Sequence, residues 1–558
     1  MRKSIRELSV NVSALALACL LACCDVAAQQ SGVSDQAAAD AALKTVRISS
    51  VRAHMRFLSD SLLAGRYPGT VGYEIAARYV AAQLEAMGVQ PAGEQGTWFQ
   101  QVPILRAVND ASRSSLALSN PTGTVHLGDP EDAGFYNDLA HTDSTVEAPV
   151  VFVGYGITAP ELHYDDYAGA DVRGKIVAVL SNAPPRFSSS QAGYYADEVV
   201  KSRNAVAHGA VGRLEIYLPE EDVSASDPVG TGEWLNHDGE PHDVFPEMKA
   251  WAWLTTSGAD KLFKGAPKTL EQVFATARTG KPQNFALPWS AAMHTVNAHQ
   301  RLQSSNVVGR IEGSDPALRN QYVIYTAHID HLGICPPVEG SSDTVCHGTL
   351  DNASGVATIL EIARAFTALP VPPRRSILFL FTTEEEDMLE GADYFAHFPT
   401  IPADGMIANI VVDMTPGVLY PCKDLIAIGS EHSSLARNAE SAALRSGYTM
   451  SPDVFPERGY FQRGDQYPFI LQGIPSAWIR RGPDGDEVTA KWIHSRYHTP
   501  LDNMDQPIDY EQGLKAAGMI FRMGYDVAQQ DEVPTWNKSD FFGAKFGRKA
   551  SPATRPVH

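Results

Sequence analysis

Three short, uninterrupted apolar segments constrain most strongly what this chain can fold into. In chain order they are Tyr322–Tyr325, Ser376–Phe381 and Ile407–Val412. Patterns typical of helices separate them, and short apolar runs that alternate with helices are typical of parallel strands buried on both faces. The sequence therefore predicts an α/β fold in which these segments are neighbouring strands of one sheet.

Imidazole and carboxylate side chains follow each of these predicted strands. In open α/β sheets, functional groups collect outside the carboxyl ends of the strands. A loop before the helical pattern VATILEIARAFTAL and a Pro-bounded loop near residue 500 add further groups of the same kind. We therefore expect one site that brings together the following side chains: His328, Asp330, Asp351, Glu385, Glu386, Asp413 and His498.

The charge of this set predicts a pair of metal ions. Asp351, Glu386 and Asp413 bring about three negative charges, and the neutral imidazoles bring none. One Zn²⁺ leaves such a group net negative, whereas two ions with a bridging hydroxide balance it, and mixed histidine and carboxylate ligation suits zinc. Glu385, beside the proposed ligand Glu386, is left free to act as a general base.

Five motifs then carry a resemblance to a known family. They are, in order, HIDHLG, LDNASG, TTEEEDMLEGADYF, VVDM and YHTPLD. Together they resemble the co-catalytic di-zinc aminopeptidase family, which includes bacterial leucyl-type aminopeptidases and glutamate carboxypeptidase II. The resemblance covers roughly residues 52–505 and implies the zinc exopeptidase fold, an α/β fold with a mixed, mostly parallel sheet sandwiched by helices.

The resemblance also assigns roles to the candidate residues. It implies two zinc ions held by His328, Asp351, Glu386, Asp413 and His498, with Asp351 bridging them. Glu385 becomes the general base, and Asp330 orients His328 through its second ring nitrogen. Neighbouring side chains compete for these roles: Glu384 with Glu385, and His331 and His347 with the ligands. The GADYF segment favours Glu385 and Glu386 as the functional pair.

The function implied is an exported, zinc-dependent aminopeptidase that removes N-terminal residues from peptides by means of a hydroxide held between the two ions. Three alternatives stay open. A carboxypeptidase or dipeptidase acting on acidic or blocked dipeptides requires a basic pocket, for which Arg463, Arg480 and Arg481 are candidates. A glutaminyl cyclase resembles the same fold. A non-catalytic binding protein is expected to lose ligands, and none of the five is missing.

Between the two parts of the predicted peptidase domain lies an insertion. It starts with APVVFVGYGITAPELHYDDYAGADVRGKIVAVL, which resembles a mainly-β protease-associated domain. Its two apolar segments, Val150–Val153 and Lys175–Leu180, predict strands. The predicted division of the chain is a signal segment (1–28), an N-terminal part of the peptidase domain (45–146), the insertion (147–299), the catalytic part (300–530) and a C-terminal tail without regular structure (531–558).

Export is predicted from the N-terminus. A basic start and an apolar stretch are typical of a signal segment. It ends either in a lipobox, with lipid attached to Cys23, or in ordinary cleavage after Ala28. We therefore expect a periplasmic or outer-membrane lipoprotein, or a secreted protein. Export also predicts a disulfide between Cys335 and Cys346, with metal binding by the same pair as the alternative, and leaves Cys422 as a free thiol.

The overall charge limits the partners. A formal net charge of −20 argues against binding to nucleic acid or to an anionic membrane surface. The expected partners are peptide substrates, and any membrane attachment is expected through an N-terminal lipid alone. The sequence predicts neither the side-chain preference nor the oligomeric state.

Overall fold

The structure, a computed structural model, describes residues 36–128, 130–218 and 230–548. The predicted signal segment with Cys23, and residues 549–558 of the predicted tail, lie outside the described residues. Among the described residues, no helix combines the length and apolar character needed to cross a bilayer.

The strands and helices are numbered in chain order. The strands are Gln90–Pro91 (β1), Phe99–Asn109 (β2), Ser115–Asn120 (β3), Gly123–Leu127 (β4), Ala133–Phe135 (β5), Asp143–Val153 (β6), Thr158–Ala159 (β7), Tyr164–Asp165 (β8), Ile176–Leu180 (β9), Gly212–Ile216 (β10), Thr231–Trp234 (β11), Ala250–Leu254 (β12), Asn284–Ile311 (β13), Tyr322–His328 (β14), Ser376–Thr382 (β15), Met406–Val411 (β16), Asp424–Ile428 (β17), Thr449–Met450 (β18) and Ser476–Arg481 (β19). After a helical segment at residues 36–43, the helices are Ile48–Leu58 (α1), Val71–Ala86 (α2), Ser189–Ala196 (α3), Glu198–Ala207 (α4), Thr256–Phe263 (α5), Leu270–Ala277 (α6), Gly355–Thr367 (α7), Glu390–His397 (α8), Leu435–Arg445 (α9), Gln466–Leu471 (α10), Asp486–Ser495 (α11), Tyr510–Gln529 (α12) and Phe541–Phe546 (α13).

The three apolar segments form the neighbouring strands β14, β15 and β16, as predicted. They belong to a mixed sheet with the order β11–β2–β13–β15–β14–β16–β19–β17–β18. Strands β15, β14, β16 and β19 run parallel, whereas β13 and β2 pair antiparallel beside them. The sheet therefore has a parallel centre, as the resemblance implies.

Helices cover both faces of this sheet. Alternate side chains of a strand point to opposite faces. Val323 and Tyr325 of β14 accordingly pack in one core with side chains of α7 and α12. Ile324, between them, packs in a second core with Phe395 of α8 and Phe469 of α10. Because both faces are buried, the strands are apolar without interruption, which is the pattern that identified them.

A second sheet contains most of the predicted insertion. Its order is β4–β3–β13–β6–β9–β10–β12–β5, and α3 to α6 belong to the same part of the chain. The predicted strands at residues 150–153 and 175–180 lie in β6 and β9. The sheet also includes β3, β4 and β5, which precede the predicted start at residue 147. Its assignment to a protease-associated domain stays a prediction.

One long strand joins the two sheets. The first part of β13 pairs with β3 and β6 through residues 284–296, and the rest pairs with β2 and β15 through residues 297–311. The predicted end of the insertion, residue 299, lies inside this strand. The two sheets, which form the walls of one cleft, are therefore connected by a continuous strand.

Two further predictions have clear outcomes. Cys335 and Cys346 form a disulfide, as predicted, and Cys422 is a buried free thiol. The prediction that the tail lacks regular structure is wrong for its described part. Residues Phe541–Phe546 form α13, and Phe542 is fully buried because its ring packs against Phe461 and Tyr194.

Candidate metal centre

The site lies where β14, β15 and β16 end. These strands are parallel and in register, with His328 opposite Thr382 and Thr326 opposite Val411. The residues that follow each strand therefore emerge at the same edge of the sheet. This alignment brings His328, the Glu384–Glu386 run and Asp413 together, as the sequence predicts.

Asp351 comes from the loop in front of α7, and another carboxylate fixes that loop. The backbone amides of Leu350 and Asp351 donate hydrogen bonds of 3.0 and 3.1 Å to the side chain of Asp502. Asp502 is fully buried. The sequence did not predict a role for Asp502, although it is the last residue of the YHTPLD motif.

One half of the centre contains His328, Asp351 and Asp413. The Nε2 atom of His328 lies 3.2 Å from Oδ1 of Asp351 and 3.5 Å from Oδ1 of Asp413. These side chains offer three ligand atoms that lie within 4.8 Å of one another, a spacing that one metal ion can bridge.

The other half contains His498, Glu386 and the second oxygen of Asp351. The Nε2 atom of His498 lies 3.4 Å from Oδ2 of Asp351 and 3.1 Å from Oε2 of Glu386. Asp351 therefore turns one oxygen to each half. This is the arrangement that a bridging carboxylate requires between two ions.

Unpaired atoms and charge both show that the centre suits cations. Within the described part of the chain, Nε2 of His328, Oδ1 of Asp413 and Nε2 of His498 are buried without a hydrogen-bond partner. Burial alone lowers the pKa of an imidazole, yet Glu386 and Asp351 raise the pKa of His498 to about 10. The carboxylates thus create a strongly negative environment, and the donor set fits zinc.

The three consecutive glutamates point in different directions. Both oxygens of Glu384 accept hydrogen bonds of 3.0 and 2.9 Å from Arg106, and this buried pair holds Glu384 away from the centre. Glu385 instead lines the cleft, with Oε2 3.7 Å from Nε2 of His328. Burial raises the pKa of Glu385 well above its usual range. Only Glu385 and Glu386 therefore face the centre.

Asp330 contacts the centre mainly through its backbone. The Nδ1 atom of His328 lies 3.3 Å from the carbonyl oxygen of Asp330 and 3.7 Å from its carboxylate. The carboxylate accepts a 3.2 Å hydrogen bond from the backbone amide of Glu386. Asp330 thus links the ends of β14 and β15, and its carbonyl oxygen lies closer to Nδ1 of His328 than its carboxylate does.

The two competing histidines differ. His331 is fully buried, and its Nδ1 lies 2.5 Å from Oε1 of Glu386, so it contacts a proposed ligand directly. His347 instead contacts groups outside the centre. One of its nitrogens lies 2.9 Å from the carbonyl oxygen of Ser59, and the other lies 2.9 Å from the carboxylate of Asp343.

The centre opens into a cleft of about 1460 Å³ between the two sheets. Arg480 lies in its wall, 94% buried, with its guanidinium 3.8 Å from the ring centre of Tyr460 and 4.0 Å from that of Trp478. Arg463 lines the same cleft. Within the described residues, neither arginine forms an ion pair.

Part of the chain matches a known protein family. Residues 306–523 match the model of Peptidase family M28. The chain is 29% identical over 213 residues to a probable leucine aminopeptidase 2 of Aspergillus oryzae, which covers 36% of this chain and 40% of the relative. It is 24% identical over 237 residues to the aminopeptidase YwaD of Bacillus subtilis, which covers 41% of this chain and 46% of the relative. The chain therefore spans less than half the length of these curated relatives.

A solved structure supports the fold over a larger part of the chain. The aminopeptidase from Aneurinibacillus sp. strain AM-1 matches with a TM-score of 0.54 and 21% identity. The match covers 88% of this chain and 96% of that chain, so the likeness includes both sheets.

Proposed function

The chain carries a Peptidase family M28 domain, and on that premise we propose that it is an exported, zinc-dependent aminopeptidase. The observation that carries the proposal is the position of Asp351, whose two oxygens face two separate pairs of one histidine and one carboxylate. The names of the relatives, which are aminopeptidases, support the same reaction class.

We assign the ligands by halves of the centre. His328 and Asp413 would hold one zinc ion, His498 and Glu386 would hold the other, and Asp351 would offer one oxygen to each. Bound zinc lowers the pKa of water and polarises a carbonyl oxygen, which prepares both partners of an amide hydrolysis. The buried, unpaired atoms of His328, Asp413 and His498 support this assignment.

Glu385 carries the proton. Its carboxylate accepts a proton from the attacking water and then donates it to the amine that leaves when the carbon–nitrogen bond breaks. A raised pKa suits this role, because the group must take up and release a proton near neutral pH. Asp330 and His331 keep Glu386 in place through its backbone amide and its Oε1.

Arg480 favours a second candidate function. A buried guanidinium that lines the cleft without an ion pair among the described residues can bind a carboxylate of a substrate. A carboxypeptidase or dipeptidase acting on acidic or blocked dipeptides has such a carboxylate. The same metal centre serves either reaction, so substrate tests must separate them.

The test combines metal content with substrate choice on the purified mature protein. We expect this centre to hold about two zinc ions, with hydrolysis of unblocked aminoacyl anilides that a chelator abolishes and zinc restores. The second candidate is supported if the protein cleaves N-acylated acidic dipeptides but not the anilides. In that case Arg480→Gln is expected to lose the activity and Arg203→Gln to keep it. Arg203 is a suitable control because it lines the cleft but is paired with Asp243. Failure to bind metal after reconstitution rules out both.

A further inference from the structure

A second group of metal-binding side chains lies outside the catalytic centre. Asp393 and His397 are four residues apart on α8 and so share one face of the helix. His242 reaches them from the loop that follows β11. The three side chains offer ligand atoms that all lie within 4.8 Å of one another. They line the wall of the cleft and are partly exposed, so an ion can reach them.

Trp234 positions two members of this group. Its Nε1 donates a 2.7 Å hydrogen bond to Oδ2 of Asp393, and its ring stacks on His242 with a centroid separation of 4.1 Å. Outer hydrogen bonds of this kind fix the orientation of metal ligands. Trp234 is itself buried, which makes it a rigid support.

Gln472 orients the third member. The Nε2 atom of His397 lies 2.9 Å from the side-chain amide of Gln472, so the other ring nitrogen faces Asp393. That Nδ1 atom lies 2.9 Å from the backbone oxygen of Asp393 and 3.4 Å from its carboxylate. The two rings of His242 and His397 are 4.7 Å apart at an angle of 62°.

The surrounding charge favours a cation at this position. Glu233 and Glu390 lie beside Asp393, and none of the three forms an ion pair with a lysine or arginine among the described residues. Burial raises the pKa of Glu390 well above its usual range, and repulsion from Glu233 and Asp393 raises it further, because the three carboxyl groups lie close together. The guanidinium groups of Arg106 and Arg203 are already engaged, with Glu384 and Asp243 respectively.

We propose that His242, Asp393 and His397 bind a further divalent cation of the zinc class, separate from the catalytic centre. Two imidazoles and one carboxylate, with water in the remaining position, form a common zinc ligand set. The ion ties the loop after β11 to α8, which begins directly after the loop that carries Glu385 and Glu386. It therefore stabilises one wall of the substrate cleft.

The test compares zinc content between variants after chelation and reloading. Wild type is expected to retain about one zinc ion per chain more than His242→Ala and His397→Gln. His294→Ala is the matched control, because His294 is exposed and contacts the single carboxylate Asp143, at 3.0 Å. Equal zinc content in wild type and in both folded variants overturns the proposal and leaves His397 and Asp393 as a simple ion pair.

A second genetic background and a second measurement separate this site from the catalytic centre. The same comparison in an Asp413→Ala background still shows the difference of one ion, so the outcome does not depend on the catalytic centre. Limited proteolysis of the loop at residues 236–243 supplies a second readout. Zinc is expected to protect this loop in wild type and in His294→Ala but not in His242→Ala, and equal protection in all three contradicts the site.

Discussion

The bridging role that we propose for Asp351 requires a fixed backbone. Its carboxylate has to keep one oxygen at 3.2 Å from His328 and the other at 3.4 Å from His498. Asp502 provides that constraint by accepting hydrogen bonds from the amides of Leu350 and Asp351. The side chain of Gln506 donates to the same carboxylate, so Asp502 is held in turn.

We predict that Asp502→Asn weakens zinc binding. The new amide group places a donor where Asp502 accepts from two backbone N–H groups, so one of those groups loses its partner. Loss of such outer support costs about 10- to 100-fold in metal affinity. Competition with a chelator measures the effect. Asp505→Asn, at an exposed position of the same loop, is the control and is expected to match wild type; equal affinity in both variants contradicts the role of Asp502.

At this scale the sequence predicts which residue types meet, but not every contact. Five of the seven candidate side chains meet at one edge of the sheet because they lie at or directly after strand ends, and loops add Asp351 and His498. Asp502 was missed because it acts on backbone amides about 150 residues away, which leaves no local pattern. The choice between Glu384 and Glu385 likewise depends on Arg106, a distant residue on β2.

At the scale of elements, the pair of Arg106 and Glu384 connects β2 to the loop that carries the proposed general base, Glu385, and the proposed ligand, Glu386. Both side chains are buried, with 6% and 0% exposure. Removing one partner of a buried pair leaves the other charge without compensation, which is strongly destabilising. The pair therefore also anchors the start of the loop at Glu385.

We predict that Arg106→Gln lowers the free energy of unfolding by about 3–5 kcal/mol. Arg78→Gln is the control, because the pair of Arg78 and Glu74 is exposed on α2, and it is expected to cost no more than about 1 kcal/mol. Urea denaturation of both variants gives the comparison. Similar losses in the two variants contradict the view that Glu384 is fixed by a buried charge.

The elements that the sequence predicts well are those with a continuous apolar pattern. β14, β15 and β16 are recognisable because both of their faces are buried. β13 was not predicted as a strand, since its 28 residues mix buried and exposed positions as it passes from one sheet to the other. Its regular structure comes from pairing with distant strands.

For the whole molecule, the C-terminal segment connects the two sheets. Helix α13 packs against Phe461 and against Tyr194 of α3, and Lys545 forms an ion pair with Glu161. The basic, proline-containing sequence of the tail indicates no regular structure, but Phe542 joins a buried core and the closely spaced Phe541 and Phe546 pack against it. Such a contact with distant partners cannot be recognised from composition.

The N-cap residue of α13, Asp540, leads to a prediction about how stability depends on pH. Asp540 accepts from the amide of Gly543, and its carboxylate lies 2.7 Å from Nδ1 of His432. Burial alone raises the pKa of Asp540, but the bond to His432 brings it below the usual value. When the pKa of a carboxyl group is lower in the folded state than in the unfolded state, its charged form stabilises the fold at pH values above the unfolded-state pKa. This stabilisation is lost as pH falls through the folded-state pKa.

We therefore predict that wild type is more stable than Asp540→Asn at pH 6 and that this difference is smaller at a pH below the ordinary aspartate pKa of about 3.9. Asparagine keeps the helix cap, so the comparison isolates the charge. Urea denaturation at both pH values measures it. A difference that stays constant, or that grows as pH falls, contradicts the assigned role of the pair.

The most direct test of the central claim is the combined zinc content and turnover of Glu385→Gln, measured beside Glu386→Gln. We predict that Glu385→Gln keeps the zinc content of wild type but loses about 10²- to 10⁴-fold in kcat on its best unblocked substrate. Glu386→Gln is expected to lose zinc instead. Wild-type turnover in Glu385→Gln, or loss of zinc from that variant alone, would contradict the division of roles between these two neighbouring glutamates.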